Sequence, residues 1–394
     1  QSLADHPGDR MPDGRPHQDD GPARRTLAAM KTTVHQTPKP ALLASLLAIV
    51  PLSLGLRYFA ASPFWIFVAS AGGVAVLAEW MRRATEQVAK HAGPAVGGLL
   101  MVSFGSIAEL LLALFVLASG EAAVVQAQIA GSIIGTSLFG LGLAILVGGI
   151  TRQRQKFNAG KAGLLSTLLI LTVVAMLLPA VFDYTGRLEG YAHDIRITDE
   201  ELSQSVSVVL LLLYCGNLGY TLITHRDTFA DEESHDAPSW GLWSSLAVMI
   251  GATAIIALEA EMVSGALMLT AASLGLSPVF LGVIVLALVG TSADLFAASW
   301  FAYRDKIGLA FNICVGSAIQ MALVVAPLLV LLSAAMGRPM NLVFHNPLYL
   351  FAIASTAFVV NAVARDGETT WFEGLLLVGV YVLFGLSFFF TGPA

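Results

Sequence analysis

The stretch Gly105-Ser106-Ile107-Ala108-Glu109-Leu110 returns, with the same grammar, as Gly290-Thr291-Ser292-Ala293-Asp294-Leu295. Each copy reads glycine, hydroxyl, two small or apolar residues, acid, leucine. A Gly-Ser pair follows 26 residues after each leading glycine, at Gly131-Ser132 and Gly316-Ser317, and a proline precedes each copy, Pro94 and Pro278. One such match could be chance; all of them together indicate a duplication.

Both copies lie in apolar sequence. The 394 residues are 56% hydrophobic and 12% charged, about half the charge a soluble domain carries on its surface. Mean hydropathy is +0.75. Runs such as 99–118, 129–150 and 164–182 exceed the roughly 18 residues that read as a membrane span. Apolar runs between charged or Pro/Gly breaks give eleven spans near 42–60, 63–81, 95–119, 123–150, 162–182, 204–224, 240–262, 278–302, 307–336, 345–364 and 371–391. The expected fold class is therefore an all-α polytopic membrane protein of about eleven transmembrane helices. The motif copies fall on the third and eighth spans. An odd number of helices separates them, so they cross in opposite directions, as in an inverted repeat with its site at the repeat interface.

The division follows: 1–40 a disordered leader, 41–62 a leading transmembrane helix, 63–224 a first five-helix repeat, 225–239 an acidic linker, 240–394 a second five-helix repeat. The leader is rich in Pro, Gly, Asp, Arg and His without an apolar period. The chain starts with Gln, and Met30 is a candidate natural start. The apolar run after residue 41 reads as an uncleaved span in preference to a signal peptide.

Basic residues set the orientation. With a cytoplasmic N-terminus, the inside loops hold Arg82, Arg83, Lys90, Arg152, Arg154, Lys156, Lys161, Arg226, Arg304, Lys306 and Arg365, and the outside loops Arg187, Arg196 and Arg338. The C-terminus then lies outside, and a bacterial inner (plasma) membrane is the expected location. The net charge of −6 says little about partners, because most acids sit in two loops, 194–201 outside and 231–236 inside. Cys215 and Cys314 fall in apolar stretches and make neither a disulfide framework nor a metal motif.

An ionised side chain at the bilayer centre costs about 2.5–3.5 kcal/mol or more. Neither motif has a Lys or Arg in its own span, so Glu109 and Asp294 must bind a cation or take up a proton, and burial favours the protonated form. Two sites with mutually exclusive occupants suit a secondary cation exchanger. Ser106, Thr291, Ser132 and Ser317 add hard oxygen donors of the kind Ca²⁺ takes, whereas thiolate and imidazole are absent from the motifs. Glu86 and Glu261 are candidates for guarding the entrances. Gln126, Gln128 and Gln320 lie near the Gly-Ser pairs and offer amide oxygens. Glu79 and Glu259 read as interfacial, and no role falls to the histidines. No nucleotide-binding loop is visible, no Gly-x-Ser-x-Gly elbow, and no nucleic-acid partner is implied. The expected partners are inorganic cations and the lipid bilayer, with no cofactor. An enzyme is disfavoured; a non-transporting ion sensor or channel stays open.

These residues carry a resemblance. Gly97-Gly98-Leu99-Leu100, Val124-Val125-Gln126-Ala127, 210–214, Thr224-His225-Arg226, Gly316-Ser317-Ala318-Ile319-Gln320 and Asp366-Gly367-Glu368 resemble the Ca²⁺/H⁺ antiporter (cation/proton exchanger) family of the Ca²⁺/cation antiporter superfamily, almost continuously from about 42 to 390. The resemblance implies one leading helix, two inverted five-helix repeats joined by an acidic cytoplasmic segment, and a Ca²⁺ site formed by Glu109 and the acid at 294. This chain departs from the family pattern in having Met101, Ser106, Thr136 and Thr291 where Asn is typical, and Asp294-Leu295 where Glu-His is typical. Those departures leave Ca²⁺ export against H⁺ as the leading reading and keep Na⁺ coupling, or another mono- or divalent cation, open.

Overall fold

The computed structural model describes residues 46–92, 97, 100–101, 104–150, 152–188, 195–220, 239–344 and 346–391. The expected leader, the acidic segment 231–236, Pro94 and His193, His225, His235 and His345 lie outside them.

Eleven helices order the described residues: α1 (Ile49–Tyr58), α2 (Pro63–Ala92), α3 (Ile107–Ala118), α4 (Ala122–Gly149), α5 (Ala159–Leu188), α6 (Ile195–Gly219), α7 (Leu242–Leu274), α8 (Pro278–Tyr303), α9 (Ile307–Ala335), α10 (Pro347–Arg365) and α11 (Trp371–Phe390). Each falls on one of the eleven expected spans. Among the described residues nine are long and apolar enough to cross a membrane, α1 and α3 being shorter. Large apolar side chains face outward, including Leu171 and Val174 on α5, Leu212 on α6 and Phe358 on α10, while serines, threonines and glutamates are buried. That inside-out polarity suits a solvent as apolar as leucine. The chain is an all-α polytopic membrane protein.

Local chemistry starts several helices. Pro278 opens α8 behind Ser277, whose Oγ accepts from Phe280 N at 3.1 Å. Pro347 opens α10 behind Asn346, which accepts from Leu348 N at 2.9 Å. Thr370 and Glu373 form a capping box on α11. Proline at the first turn loses no hydrogen bond, and the cap oxygens satisfy free N–H groups.

The duplication extends well beyond the motifs. The two copies are 185 residues apart, judged by Gly105 and Gly290, and that offset carries Gly120 onto Asp305. Both have positive φ, 93° and 66°. Their turns match bond for bond: Gly120 N donates to Leu117 O and Glu121 N to Val116 O, as Asp305 N donates to Ala302 O and Lys306 N to Phe301 O. The helices that follow each widen into a π-helical segment at the same place, Gly135–Gly140 in α4 and Met321–Val325 in α9. Such widenings concentrate at functional positions.

The copies run in opposite senses. The Gly120 turn sits where α4 begins. The Asp305 turn sits where α4 ends, because Arg152 pairs with Asp305 at 3.0 Å and reaches Tyr303 O at 3.3 Å. At that same end a two-residue antiparallel ladder, Gln155 with Thr369 and Lys156 with Glu368, ties the α4–α5 and α10–α11 connections. α2 and α7 likewise run antiparallel, Gly73 facing Glu259 and Gln87 Oε1 accepting from Ser239 N at 2.8 Å.

α4 is the centre of the fold. Of its most apolar window 83% is buried inside the protein, against 17% for α6, so α4 is a core helix and α6 a peripheral one. Small residues let backbones close in: a Cβ at Gly131 would meet the Val283 carbonyl of α8, and one at Gly374 would lie 2.7 Å from Gly142 O.

Three sequence boundaries need correction. α2 runs on to Ala92 rather than stopping near 81, because Glu79 pairs with Arg82 and Arg83 and Glu86 with Lys90 one turn apart; a charged helix that neutralises itself need not end. α7 continues from the expected 262 to Leu274 and stops at Gly275 in the left-handed conformation, φ 65°. α6 begins at Ile195, so most of the acidic stretch 194–201 is helical and Asp199 is buried.

Candidate functional site

A break in the helix sets Glu109. The backbone turns at Ser106, φ −101° and ψ 19°, and α3 starts one residue later with Glu109 in its first turn. The N–H groups of a helix start and its dipole favour a carboxylate there. The side chain is buried, 2% exposed, and lies against Gly290 of α8: a Cβ on Gly290 would come within 3.0 Å of Glu109 Cγ. The leading glycine of the second motif thus makes room for the acid of the first.

Asp294 is set differently. α8 runs unbroken through the second motif, with Thr291 Oγ1 donating to Ala287 O at 2.8 Å and Ser292 Oγ to Val289 O at 2.7 Å. Asp294 is enclosed by neighbouring atoms yet keeps part of its surface accessible, and lies within electrostatic reach of Glu109.

Around the pair the two Gly-Ser helices present oxygens. On α4, Gln128 Nε2 donates to the Glu109 carbonyl at 3.3 Å, and Thr136 Oγ1 donates to Ser132 O at 2.7 Å. On α9, Ser317 lies beside Asp294, and Gln320 lies beside Gly105. Both Glu109 carboxylate oxygens, Gln128 Oε1 and Ser132 Oγ are buried without a partner of hydrogen-bond geometry among the described residues, although Ser106 is close enough to interact with Glu109, as Ser317 is with Asp294. An unsatisfied buried oxygen costs about 1–3 kcal/mol. Four such atoms from α3 and α4 point to a ligand that replaces the missing donors, and hard oxygens without thiolate or imidazole match a hard cation. Among the described residues no three His, Cys, Asp or Glu side chains converge as a metal cluster; the site is two carboxylates with hydroxyls and amides.

The structure brings Ser106, Glu109, Ser132, Thr291, Asp294, Ser317 and Gln320 to this region. It does not bring Gln126 or Glu261. Gln126 Nε2 donates to Asn341 O at 2.9 Å and to Asn341 Oδ1 at 3.1 Å, fastening α4 to the α9–α10 connection. Glu261 is half-exposed and pairs with Arg57 at 3.3 Å. Glu86 pairs with Lys90 at 3.1 Å and Arg82 at 3.5 Å.

Two acids read from the sequence as interfacial are buried within the protein. Glu259, 1% exposed, accepts from Ser53 Oγ at 2.6 Å. Glu79, 5% exposed, accepts two bonds from Arg82, at 2.9 and 3.0 Å, and one from Arg83 at 2.6 Å. Arg82 also lies within electrostatic reach of Asp294. Counting Lys and Arg within each motif's own span missed it; the i, i+3 and i, i+4 spacing of Glu79 to Arg82 and Arg83 was the available signal.

Comparison with known proteins adds to this. The family model described as sodium/calcium exchanger protein matches residues 62–223 and 244–390. The Ca(2+)/H(+) antiporter of Aphanothece halophytica is 36% identical over 361 residues, 88% of this chain and 95% of that one. The Ca(2+)/H(+) antiporter ChaA of Bacillus subtilis is 36% identical over 322 residues, 80% and 89% of the two chains. Among solved structures, native YfkE superposes with a TM-score of 0.75 at 31% identity, covering 89% of this chain and 99% of that one.

Proposed function

The chain belongs to the sodium/calcium exchanger protein family, and from that premise we propose that it is a secondary antiporter exchanging Ca²⁺ for H⁺, with Glu109 and Asp294 as ligands shared by both ions. The observation that carries this is the meeting of two acids, one from each inverted copy, among buried oxygens that lack partners. An empty, ionised pair would hold two negative charges in a low-dielectric interior, which is costly. One Ca²⁺ or two protons neutralise it, so loaded states cross and the empty one does not. Ser106, Ser132, Thr291, Ser317 and the amide of Gln128 extend the donor set toward the six to eight oxygens Ca²⁺ takes. Alternating access is a rocking of the inverted copies about this fixed point.

The end of the molecule bearing Arg152, Arg154, Lys156 and Lys306 is the cytoplasmic one by the distribution of basic residues, with the N-terminus inside, the C-terminus outside and a bacterial inner membrane as the location. Export of Ca²⁺ then runs against inward H⁺. The test is ⁴⁵Ca²⁺ uptake into everted vesicles with a pH-reporting dye. Ca²⁺-dependent proton release that Glu109→Gln and Asp294→Asn each abolish supports the proposal. Uptake unchanged in both variants overturns the site, and uptake driven by a Na⁺ gradient alone overturns the proton coupling.

A further inference from the structure

We propose that Arg152 and Arg338 are reciprocal positioning residues of the exchange, each gripping the end of the acid-bearing helix of the opposite copy. One grip lies at each face of the membrane, and their balance sets which face the ion site opens to. This rests on the exchange reading above, with one site reached alternately from two faces.

The pairing comes from the duplication. The offset that carries Gly105 onto Gly290 also carries Ala118 onto Tyr303, the last residues of α3 and α8. Arg152, on the α4–α5 connection of the first copy, donates to Tyr303 O at 3.3 Å. Arg338, on the α9–α10 connection of the second copy, donates to Ala118 O. It stands one residue beyond the place equivalent to Arg152. The final carbonyls of a helix have no partner within it and form the negative end of its dipole, so a guanidinium is a fitting cap. α3 carries Glu109 and α8 carries Asp294, so each arginine holds an acid's helix from outside that helix's own copy.

The two connections are built alike, and this is what delivers the arginines. Gln155, 1% exposed, folds back against Gly148 of α4 and donates to Ile145 O at 2.9 Å. At the equivalent place Met340, also buried, folds back on α9, its N–H donating to Ser333 Oγ at 2.9 Å. Gly148 and Ser333 are themselves equivalent. Each arginine thus springs from a buried base that fixes how far it can reach.

The grips differ in one respect. Arg152 also pairs with Asp305 Oδ1 at 3.0 Å, whereas the residue equivalent to Asp305 is Gly120, which has no side chain to offer. The added carboxylate makes the cytoplasmic grip the stronger, by the modest amount an exposed ion pair contributes. Both grips are made in this structure. Opening either face frees the helix held there, so weakening one grip populates the state open at that face. Apparent affinity at a face follows the fraction of protein open to it.

The test is the KM for Ca²⁺ at each face, in everted and in right-side-out vesicles, together with the melting temperature of each purified variant. The quantity read is the ratio of the cytoplasmic to the outer KM. Arg152→Gln lowers it roughly fivefold and Arg338→Gln raises it roughly fivefold. The double variant returns it toward the parent. Asp305→Asn lowers it by about twofold, and Arg152→Lys and Arg338→Lys, which keep the cation, stay near the parent. A purely structural role moves both KM values together, or only the melting temperature, and leaves the ratio fixed. Either result overturns the proposal, as does a shift of the same sign in both glutamine variants. Should an arginine variant not fold, Asp305→Asn on its exposed turn decides alone, and an unchanged or raised ratio overturns the proposal. Failure of the exchange reading looks different: the parent protein would then show no counter-ion-dependent uptake from either face.

Discussion

Glu109 and Asp294 occupy equivalent places in two copies of one design, yet the copies present them differently. In the first, the helix breaks at Ser106 and the acid sits in a fresh first turn, buried and without a cationic neighbour among the described residues. In the second, the helix runs straight through, and the acid is partly accessible and within reach of Arg82. The turns at Gly120 and Asp305 meanwhile keep the same hydrogen bonds. Backbone geometry has survived the duplication while side-chain chemistry has diverged. A turn depends on local bonds that both copies can make for themselves, whereas the surroundings of each acid depend on which helices pack against it.

Glycines give the sharpest way to break the comparison. Gly131 and Gly316 are equivalent, but a Cβ at Gly131 runs into the Val283 backbone and one at Gly316 meets nothing within 4 Å. Gly131→Ala should destabilise the fold by about 3 kcal/mol or more, since backbone cannot yield as a side chain can. Gly316→Ala should be neutral or stabilising by up to ~1 kcal/mol from helix propensity. Thermal melting in detergent checks both; equal effects would mean that the copies pack alike.

Next in size are the acids. Glu109→Gln should lower the apparent Ca²⁺ affinity on the order of 100-fold, because a charge-assisted contact is worth about 1.5–3 kcal/mol. Asp294→Asn should cost less, since Asp294 keeps part of its surface accessible whereas Glu109 is buried. Ca²⁺-dependent thermal stabilisation of the two purified variants reads the difference, and a larger loss for Asp294→Asn would reverse the assignment.

A smaller effect separates the leading glycines. Gly290→Ala places a methyl 3.0 Å from Glu109 Cγ, whereas Gly105→Ala meets the Gln320 amide at an ordinary 3.5 Å. The first should raise KM for Ca²⁺ by roughly tenfold through displacement of the carboxylate, and the second by less than about twofold. Initial-rate uptake over a Ca²⁺ series distinguishes them.

The smallest expected effect concerns two neighbouring amides. Gln126→Ala removes a tie to Asn341 and should cost ~1 kcal/mol of stability with KM unchanged. Gln128→Ala, losing a group beside Glu109, should move KM. If Gln126→Ala moves KM instead, the amide roles are exchanged.

Much of this was legible in the sequence, for identifiable reasons. Hydropathy located the eleven helices of the described residues because lipid imposes one demand on every span, whatever its neighbours. Glu109 and Asp294 stood out because an acid in an apolar run is costly and the run repeats. The parts that stayed hidden involve contacts between segments far apart in the chain. Gln126 and Gln128 are two residues apart, on the same helix, and only packing sends one to Asn341 and the other to Glu109. Glu79 resembles an interfacial acid until Arg82 and Arg83 fold back on it.

The sequence by itself therefore determined the helices of the described residues, their inverted pairing and the two acids, since periodicity, burial cost and an odd span count are properties of the chain alone. Tertiary structure decided what surrounds each acid: the glycine that makes room for Glu109, the buried serines of α4 and α9, and the arginine that α2 brings within electrostatic reach of Asp294. Electrostatics and packing act across space, and a linear reading that counts charges along each span does not see a guanidinium delivered by another helix.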